Sequence, residues 1–438
     1  MKQRVSQYRG VYDAHATYTR LRDAGVLGSH SYLHVSGDRA EIGWAPTEHL
    51  RLSAAEFGPE WRSQVARIAE SGARANRKAF GYVGFDAVDG MSATRPDGSA
   101  DAPPLVEFIV PGEMVTSDPG EQVTHYSSSG FDIRPHLTVR LPPARGAEHR
   151  SELEPVACAP AATFTDGVRS AVAGLRAGRA QKIVLSRFQA FDLEYDPAAL
   201  FAAHFLTRQF VDAYLISFGE VVAIVASPEV LLAATDREIT SNPLAGTRPR
   251  GATVEHDERL REELKHDHKE IVEHVVSVTT MLSQLEPFCE HDTLVVKRLM
   301  EVCVQQNVQH LSSVIRGTLS RDCHVLDALW ALFPGVTIAG FPGDPAVRML
   351  RELEPGPRCL YSGILGWVSG DSECRLSLSI RGIFRYGTRT YLHAGAGIVH
   401  ESVPESEFTE TEHKLEITRN ALAGIVASEP APGKSLSR

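Results

Sequence analysis

The segment from residue 213 to residue 244, AYLISFGEVVAIVASPEVLLAATDREITSNPL, constrains the fold of this chain more than any other. Its short apolar runs are separated by brief turns, a pattern that predicts successive antiparallel strands. Similar runs occur near both ends of the chain, and helical segments lie between them as separate blocks. The sequence therefore predicts an α+β fold and not alternating βαβ units.

Two helices stand out in the second half of the chain. Residues 259–288 predict a long helix whose apolar face carries Ile271, Val275, Val278 and Leu282. Residues 405–428 predict a final helix rich in glutamate. We place an N-terminal part at 1–155, the main region at 156–428 and a disordered tail at 429–438, all within one compact unit.

The composition excludes several classes of protein. The chain has 438 residues, of which 43% are hydrophobic and 23% charged, as in globular proteins. A net charge of −10 argues against nucleic-acid binding as the main task. The six cysteines form no C-x-x-C pair, and we find no signal peptide and no apolar stretch of membrane-spanning length. We therefore expect a cytoplasmic protein that is not associated with membranes.

Two titratable residues border very apolar strands. Lys182 opens the strand-like run KIVLSR, either as a solvated strand end or as an amine held against apolar walls so that it can lose its proton. Glu229 follows the run VAIVAS, either as an ordinary turn residue or as a carboxyl group whose pKa is raised by burial. Residue patterns alone leave both alternatives open.

Two carboxylate pairs have the same helical spacing. Glu270 and Glu273 are neighbours on the long helix, and Glu407 and Glu410 repeat the i, i+3 spacing on the final helix. If the two helices face each other, four carboxylates suit a hard divalent cation such as Mg²⁺. For E-x-x-E alone, solvated helix-face charges are the more common explanation.

Several loops and strands could approach a small anionic ligand. The segment PLAGTRPRG, with Gly246 and Thr247, predicts a tight loop, and HAGAGIV predicts a strand with Gly395 and Gly397 on one side. Arg381 is predicted inside a strand, where it could bind a carboxylate or face solvent. Other candidates, each with a structural role as the alternative, are His310 and Tyr361.

The order of these motifs resembles the chorismate-utilising enzymes, a family that includes anthranilate, aminodeoxychorismate, isochorismate and salicylate synthases. The resemblance covers about residues 160–420 and rests on nine motifs in the family's order: KIVLSR, SPEVL, PLAGTRPRG, DHKEIVEH, VQHLSSVIRG, LYSG, LSIRG, HAGAGIV and PESEFTETEHK. It implies two large, mainly antiparallel sheets packed together with helices outside. It also implies chorismate as the substrate and Mg²⁺ as the cofactor.

The resemblance also implies roles for individual residues. Lys182 would be the general base for water and Glu229 the general acid, with His310 orienting the ring. The four glutamates would hold Mg²⁺. The implied substrate-binding residues are Gly246, Thr247, Thr337, Tyr361, Arg381, Gly395, Gly397 and Lys414.

Differences within the family narrow the expected activity. Members that add water have a lysine at position 182, and Ala245 stands where aminodeoxychorismate synthases carry a nucleophilic lysine. GTRPRG and RCLYSG resemble salicylate synthases. VTIAGFPGDPAV departs from both patterns, because Gly343 stands where a lysine is common, and this departure resembles isochorismate synthases somewhat more. We expect a monomeric salicylate synthase without a glutaminase subunit. The alternatives are an isochorismate synthase, an ammonia-using synthase subunit and a non-catalytic chorismate-binding relative.

Overall fold

The computed structural model describes residues 4–9, 13–90, 94–118, 122–138, 153–202, 211–305 and 308–426. Residues 429–438, predicted to be a disordered tail, lie outside these ranges. The helices are α1 Ala14–Asp23, α2 Trp61–Arg74, α3 Ala161–Arg176, α4 Pro197–Leu200, α5 Val254–His266, α6 His268–Leu285, α7 Val325–Leu332, α8 Gly343–Leu353 and α9 Pro404–Val426.

The strands make up most of the remaining structure. They are β1 Arg4–Arg9, β2 His30–Ser36, β3 Arg39–Leu52, β4 Ala79–Val83, β5 Val106–Asp118, β6 Gln122–Ser127, β7 Ala157–Cys158, β8 Lys182–Asp192, β9 Asp212–Phe218, β10 Val221–Ser227, β11 Val230–Thr235, β12 Glu238–Ser241, β13 Leu244–Pro249, β14 Val295–Gln305, β15 Val308–Thr318, β16 Gly340–Phe341, β17 Ile364–Ser369, β18 Glu373–Leu378, β19 Gly382–Tyr386 and β20 Arg389–Ile398.

All pairings between these strands are antiparallel, which confirms the predicted α+β class. One half of the sheet runs β8–β20–β19–β10–β9–β2–β3, and the other runs β5–β4–β17–β18–β11–β12–β15. The halves join where β3 pairs with β5, with an irregularity between Pro46 and Glu48. A bulged corner of this kind lets strands pass from one packed sheet to the next.

Strands on both sides of residue 155 pair with each other. In β2 and β9, Tyr32 pairs with Ile216, and in β4 and β17, Gly81 pairs with Gly366. The N-terminal residues therefore complete the same sheet that carries the later motifs. The domain boundaries proposed from the sequence remain a prediction.

The single long helix predicted at 259–288 is divided at Asp267 into α5 and α6, because the Asp267 side chain caps a new helix, and α6 does not bury the predicted face. Val275 is 41% exposed, whereas Glu270, Glu273, His274 and Ser277 are buried. The predicted apolar stripe is therefore wrong in its N-terminal half, because this part of the helix packs its polar side against β13 and β15. Val278 and Met281, one turn further on, do join the main apolar core.

Two further features agree with the composition. All six cysteines are free thiols. Within the described ranges, we find no helix with the length and apolar character that a membrane crossing requires.

Candidate active site

A cavity of about 110 Å³ opens between the two halves of the sheet and the helices α6 and α9. It is lined by Val184, Pro228, Glu229, Leu244, Ala245, Gly246, Glu270, Glu273, His310, Thr337, Ile338, Tyr361, Ile380, Arg381, His393, Ala394, Gly395, Gly397, Glu410 and Lys414. Most of the residues singled out in the sequence thus lie around one space, although they come from distant parts of the chain.

Glu229 is a buried carboxyl group at this cavity, in the short link between β10 and β11. Its side chain accepts a hydrogen bond from Thr337 Oγ1 at 2.8 Å, and Lys182 adds a favourable charge. Burial outweighs these two effects and that of a hydrogen bond with the Leu244 backbone, and it raises the pKa of Glu229 to about 8. The residue therefore holds a proton at neutral pH, as a general acid must.

Lys182 is fully buried at the start of β8, but its amine does not face apolar walls. Nζ lies 3.0 Å from Glu273 Oε1 and donates a hydrogen bond to Ser277 Oγ at 3.2 Å. Both alternatives given by the sequence, a solvated strand end and an amine against apolar walls, are wrong, because the polar face of α6 turns towards this strand and covers the amine. Glu273, which contacts this amine, lines the cavity, whereas Lys182 itself is not among the lining residues.

The four glutamates of the two helices meet around a lysine. Lys269 Nζ lies 3.5 Å from Glu270 Oε1, 3.8 Å from Glu273 Oε2 and 3.4 Å from Glu407 Oε1. On the other side, Lys414 Nζ lies 2.6 Å from Glu410 Oε1. Helices α6 and α9 therefore bring both carboxylate pairs to one place, which is the condition that the hypothesis of a shared cation site required.

The charges of this cluster fit a divalent cation. Burial and the neighbouring Glu273 raise the pKa of Glu270 to about 7, and burial and Glu410 raise the pKa of Glu407. Burial lowers the pKa of Lys269, but the negative charges of the four glutamates raise it by more. The pKa of Lys269 therefore lies well above the usual range. The ammonium of Lys269 thus lies among these carboxylates, where a metal cation could take its place. Buried carboxylate oxygens are the donors that Mg²⁺ prefers.

One wall of the cavity is formed by PLAGT, which was predicted as a loop and is instead part of the bulged strand β13. Gly246 has a φ of +62°, and the register of β13 and β15 shifts between Ala245 and Arg248. His310 Nδ1 donates to the carbonyl oxygen of Gly246 at 2.8 Å, and burial lowers the pKa of His310 to about 4. The imidazole is therefore neutral. The side chain of Thr247 lies outside the described part of the structure.

Arg381 lies beyond the end of β18, not inside a strand as predicted. Its φ of +54° turns the chain between β18 and β19, and the side chain points into the cavity next to Tyr361. Burial raises the pKa of Tyr361 to about 12, so its hydroxyl keeps its proton. A guanidinium and a phenol side by side can bind a carboxylate.

The two glycines of β20 line the cavity, as expected from their spacing. A Cβ atom on Gly397 would lie 2.3 Å from Glu273 Oε1, and one on Gly395 would lie 3.1 Å from the Tyr361 hydroxyl. The glycines therefore make room for other side chains of the site. The backbone oxygen of Gly395 also accepts a hydrogen bond from Lys414 Nζ at 2.8 Å.

Sequence reasoning missed two residues of the site. Lys269 was overlooked because a lysine beside glutamates on a helix resembles an ordinary surface pair. His393 is buried and stacks on Tyr361 with ring centroids 4.9 Å apart. Within the described ranges its Nε2 has no hydrogen-bond partner, and burial lowers its pKa to about 3. Its position two residues before Gly395 was the available signal.

Comparisons with solved structures agree with this architecture. Anthranilate synthase component I from Streptococcus pneumoniae superposes with a TM-score of 0.73 at 23% identity, covering 87% of this chain and 92% of that one. The menaquinone-specific isochorismate synthase of Escherichia coli has a TM-score of 0.73 at 21% identity, with coverage of 96% and 95%. At these identities the likeness shows the shared fold alone.

Comparisons of sequence identify relatives and a family. A salicylate synthase from Mycolicibacterium paratuberculosis is 39% identical over 58% of this chain, and an anthranilate synthase component 1 from Saccharolobus solfataricus is 36% identical over 57%. The aligned parts span 56% and 59% of these two relatives. The profile of the chorismate binding enzymes matches residues 28–420, almost the whole chain. Together with the fold and the cavity, this match shows that the chain belongs to the chorismate binding enzyme family.

Proposed function

We propose that the protein is a salicylate synthase, which converts chorismate through isochorismate to salicylate and pyruvate. The observation that carries the proposal is Glu229, a buried carboxyl group with a pKa of about 8 that faces the cavity. A protonated acid is needed to expel the C4 hydroxyl of chorismate as water. The similarity to a salicylate synthase supports the same activity.

In the first step, the oxygen of a water molecule bonds to ring C2 of chorismate. Lys182 takes a proton from that water, and both double bonds of the ring shift by one position as the C4–O bond breaks. Glu229 gives its proton to the departing hydroxyl, so that one water enters and one leaves. Because Glu273 lies 3.0 Å from the amine, the base role requires this carboxylate to move away from Lys182. Lys269, close to Oε2 of Glu273, offers it a second cationic partner.

We propose that Glu270, Glu273, Glu407 and Glu410 hold Mg²⁺, some of them through water. When bound, the ion would supply positive charge for the ring carboxylate of the substrate. Arg381 and Tyr361 would bind the enolpyruvyl carboxylate, and Gly395 would give access to its backbone. Thr247, Thr337 and the bulge of β13 at Gly246 would contact the side of the ring that carries the hydroxyl. His310, neutral and fixed by Gly246, would orient the ring, and Lys414 would add charge near the carboxylates.

The second step removes pyruvate from bound isochorismate by an intramolecular hydrogen transfer. This step requires a particular orientation of the bound isochorismate and no further acid or base. The same cavity can therefore serve both steps, which is why residue types separate the two activities poorly.

An isochorismate synthase is the second candidate, and Gly343 is the observation that favours it. A lysine is common at this position in both kinds of synthase, and the departure resembles isochorismate synthases somewhat more. Here Gly343 opens α8 directly after β16, whose Phe341 pairs with Lys182. Lys182 and Ala245 favour water addition without a glutaminase subunit in either case.

Incubation of the purified protein with chorismate and Mg²⁺, followed by chromatography and a pyruvate assay, tests the proposal. Equal amounts of salicylate and pyruvate are expected. Isochorismate alone would assign the second candidate. Absence of turnover, also with ammonium added, would refute both and favour a non-catalytic binder.

A further inference from the structure

A second group of metal-ligand side chains lies in the N-terminal part of the sheet, where β2, β3 and β5 come together. His30 begins β2, His49 lies near the end of β3 and Glu107 near the start of β5. One ligand atom from each lies within 4.8 Å of the other two, and no other trio of ligand-type residues in the described ranges meets this limit. None of the three is among the residues that line the cavity.

The distances in this group match a tetrahedral metal site. His49 Nε2 lies 2.8 Å and His30 Nε2 lies 3.4 Å from the same oxygen, Oε1 of Glu107. Ligand atoms about 2.0–2.1 Å from a tetrahedral Zn²⁺ are about 3.3 Å apart. Small movements of the side chains would therefore be enough to place an ion between the three atoms.

The residues that contact these three side chains are also arranged as around a metal site. Oε2 of Glu107 accepts a hydrogen bond from the Tyr82 hydroxyl at 2.9 Å, and Nδ1 of His30 contacts Ser29 Oγ at 2.9 Å. Such outer contacts fix the orientation of ligating imidazoles and carboxylates. Both leave the inner atoms, Nε2 of His30 and Oε1 of Glu107, pointing towards each other.

The chemical groups of this trio and its access to solvent also suit a metal ion. Glu107 is the acidic member of the trio, and its carboxylate oxygens face His30, His49 and the Tyr82 hydroxyl. Glu107 is buried, while the His30 and His49 side chains are 18% and 32% exposed. An ion can enter from solvent, and a water molecule can fill the fourth position.

We propose that His30, His49 and Glu107 form a Zn²⁺ site that links β2, β3 and β5. Two imidazoles and one carboxylate are a ligand set that suits Zn²⁺ and does not suit Mg²⁺. Binding displaces the protons that the imidazoles direct at the carboxylate, so that the three side chains become ligands. The site fastens the N-terminal strands to the corner of the sheet and is independent of the proposed catalytic activity.

Titration of the metal-free, full-length protein with Zn²⁺ by calorimetry tests this site. Excess Mg²⁺ in the buffer keeps the four-glutamate cluster from contributing to the measured Zn²⁺ binding. We expect one tight Zn²⁺ per chain. Tyr82→Phe, which keeps the shape of the buried side chain, should weaken binding about 10–100-fold, and His49→Ala should weaken it at least as much.

The matched control is His400→Ala. His400 is an exposed histidine that also contacts a glutamate, with Nε2 2.8 Å from Glu401 Oε1, and this variant should bind Zn²⁺ like the wild type. Equal Zn²⁺ binding by wild type and His49→Ala would overturn the proposal. If His49→Ala does not fold, Co²⁺ replaces Zn²⁺ in the wild type. A tetrahedral Co²⁺ absorption spectrum that Tyr82→Phe weakens supports the site, and its absence refutes it.

Discussion

Replacement of Glu229 by glutamine should change both the chemistry and the pH dependence of stability. Glutamine keeps the size of the side chain and can still accept the hydrogen bond from Thr337, but it cannot give up a proton. Loss of a general acid typically costs a factor of about 10²–10⁴ in rate. We therefore expect isochorismate formation from chorismate to fall by this factor. Release of pyruvate from supplied isochorismate should survive much better.

The stability effect follows from the raised pKa. Between the ordinary value of 4.5 and the folded value of about 8, folded Glu229 keeps a proton that the unfolded chain releases. The free energy of unfolding of the wild type therefore falls as the pH rises through this window, and the loss is complete above the folded pKa. Glutamine has no such dependence. At about 1.36 kcal/mol per unit, the variant should gain about 2 kcal/mol relative to wild type between pH 6 and pH 8.

Urea unfolding of both proteins at pH 6 and pH 8, followed by circular dichroism, measures this difference. A stability difference that is the same at both pH values would refute the burial of a protonated Glu229. In the wild type, the rate of isochorismate formation should fall about tenfold per unit well above the pKa of the acid. Equal loss of both chemical steps in Glu229→Gln would instead indicate that the residue binds the substrate.

Three further predictions address the other groups of the site. Lys182→Ala should abolish water addition, and an unchanged rate of isochorismate formation would contradict the base assignment. Gly397→Ala places a methyl group 2.3 Å from Glu273 Oε1, so activity should fall more than about tenfold. The melting temperature should change little, because the Glu273 carboxylate can swing away from the methyl group. A large drop in melting temperature would contradict this explanation. Removal of metal by EDTA should stop turnover and added Mg²⁺ should restore it, whereas full activity in EDTA would argue against the four-glutamate site.

Much of this molecule could be predicted from local patterns. Alternating apolar runs and short turns gave the antiparallel strands, since a strand exposes its periodicity in consecutive residues. The spacing of Glu270 and Glu273, repeated in Glu407 and Glu410, gave two carboxylate pairs. The family resemblance then related these helices to one site, and the structure does bring them together around Lys269.

Only the tertiary structure decided which groups face each other. The apolar stripe through Val275 predicted the wrong buried face of α6, because contacts with distant strands outweigh a helix's own periodicity. Lys182 meets Ser277, 95 residues away, and beside it Glu273, so no local pattern could show that its surroundings are polar. Arg381 appeared to continue a strand but turns the chain with a left-handed φ. Sequence thus determined the elements and the chemical groups, while long-range packing determined their partners, since burial and charge act through space and not along the chain.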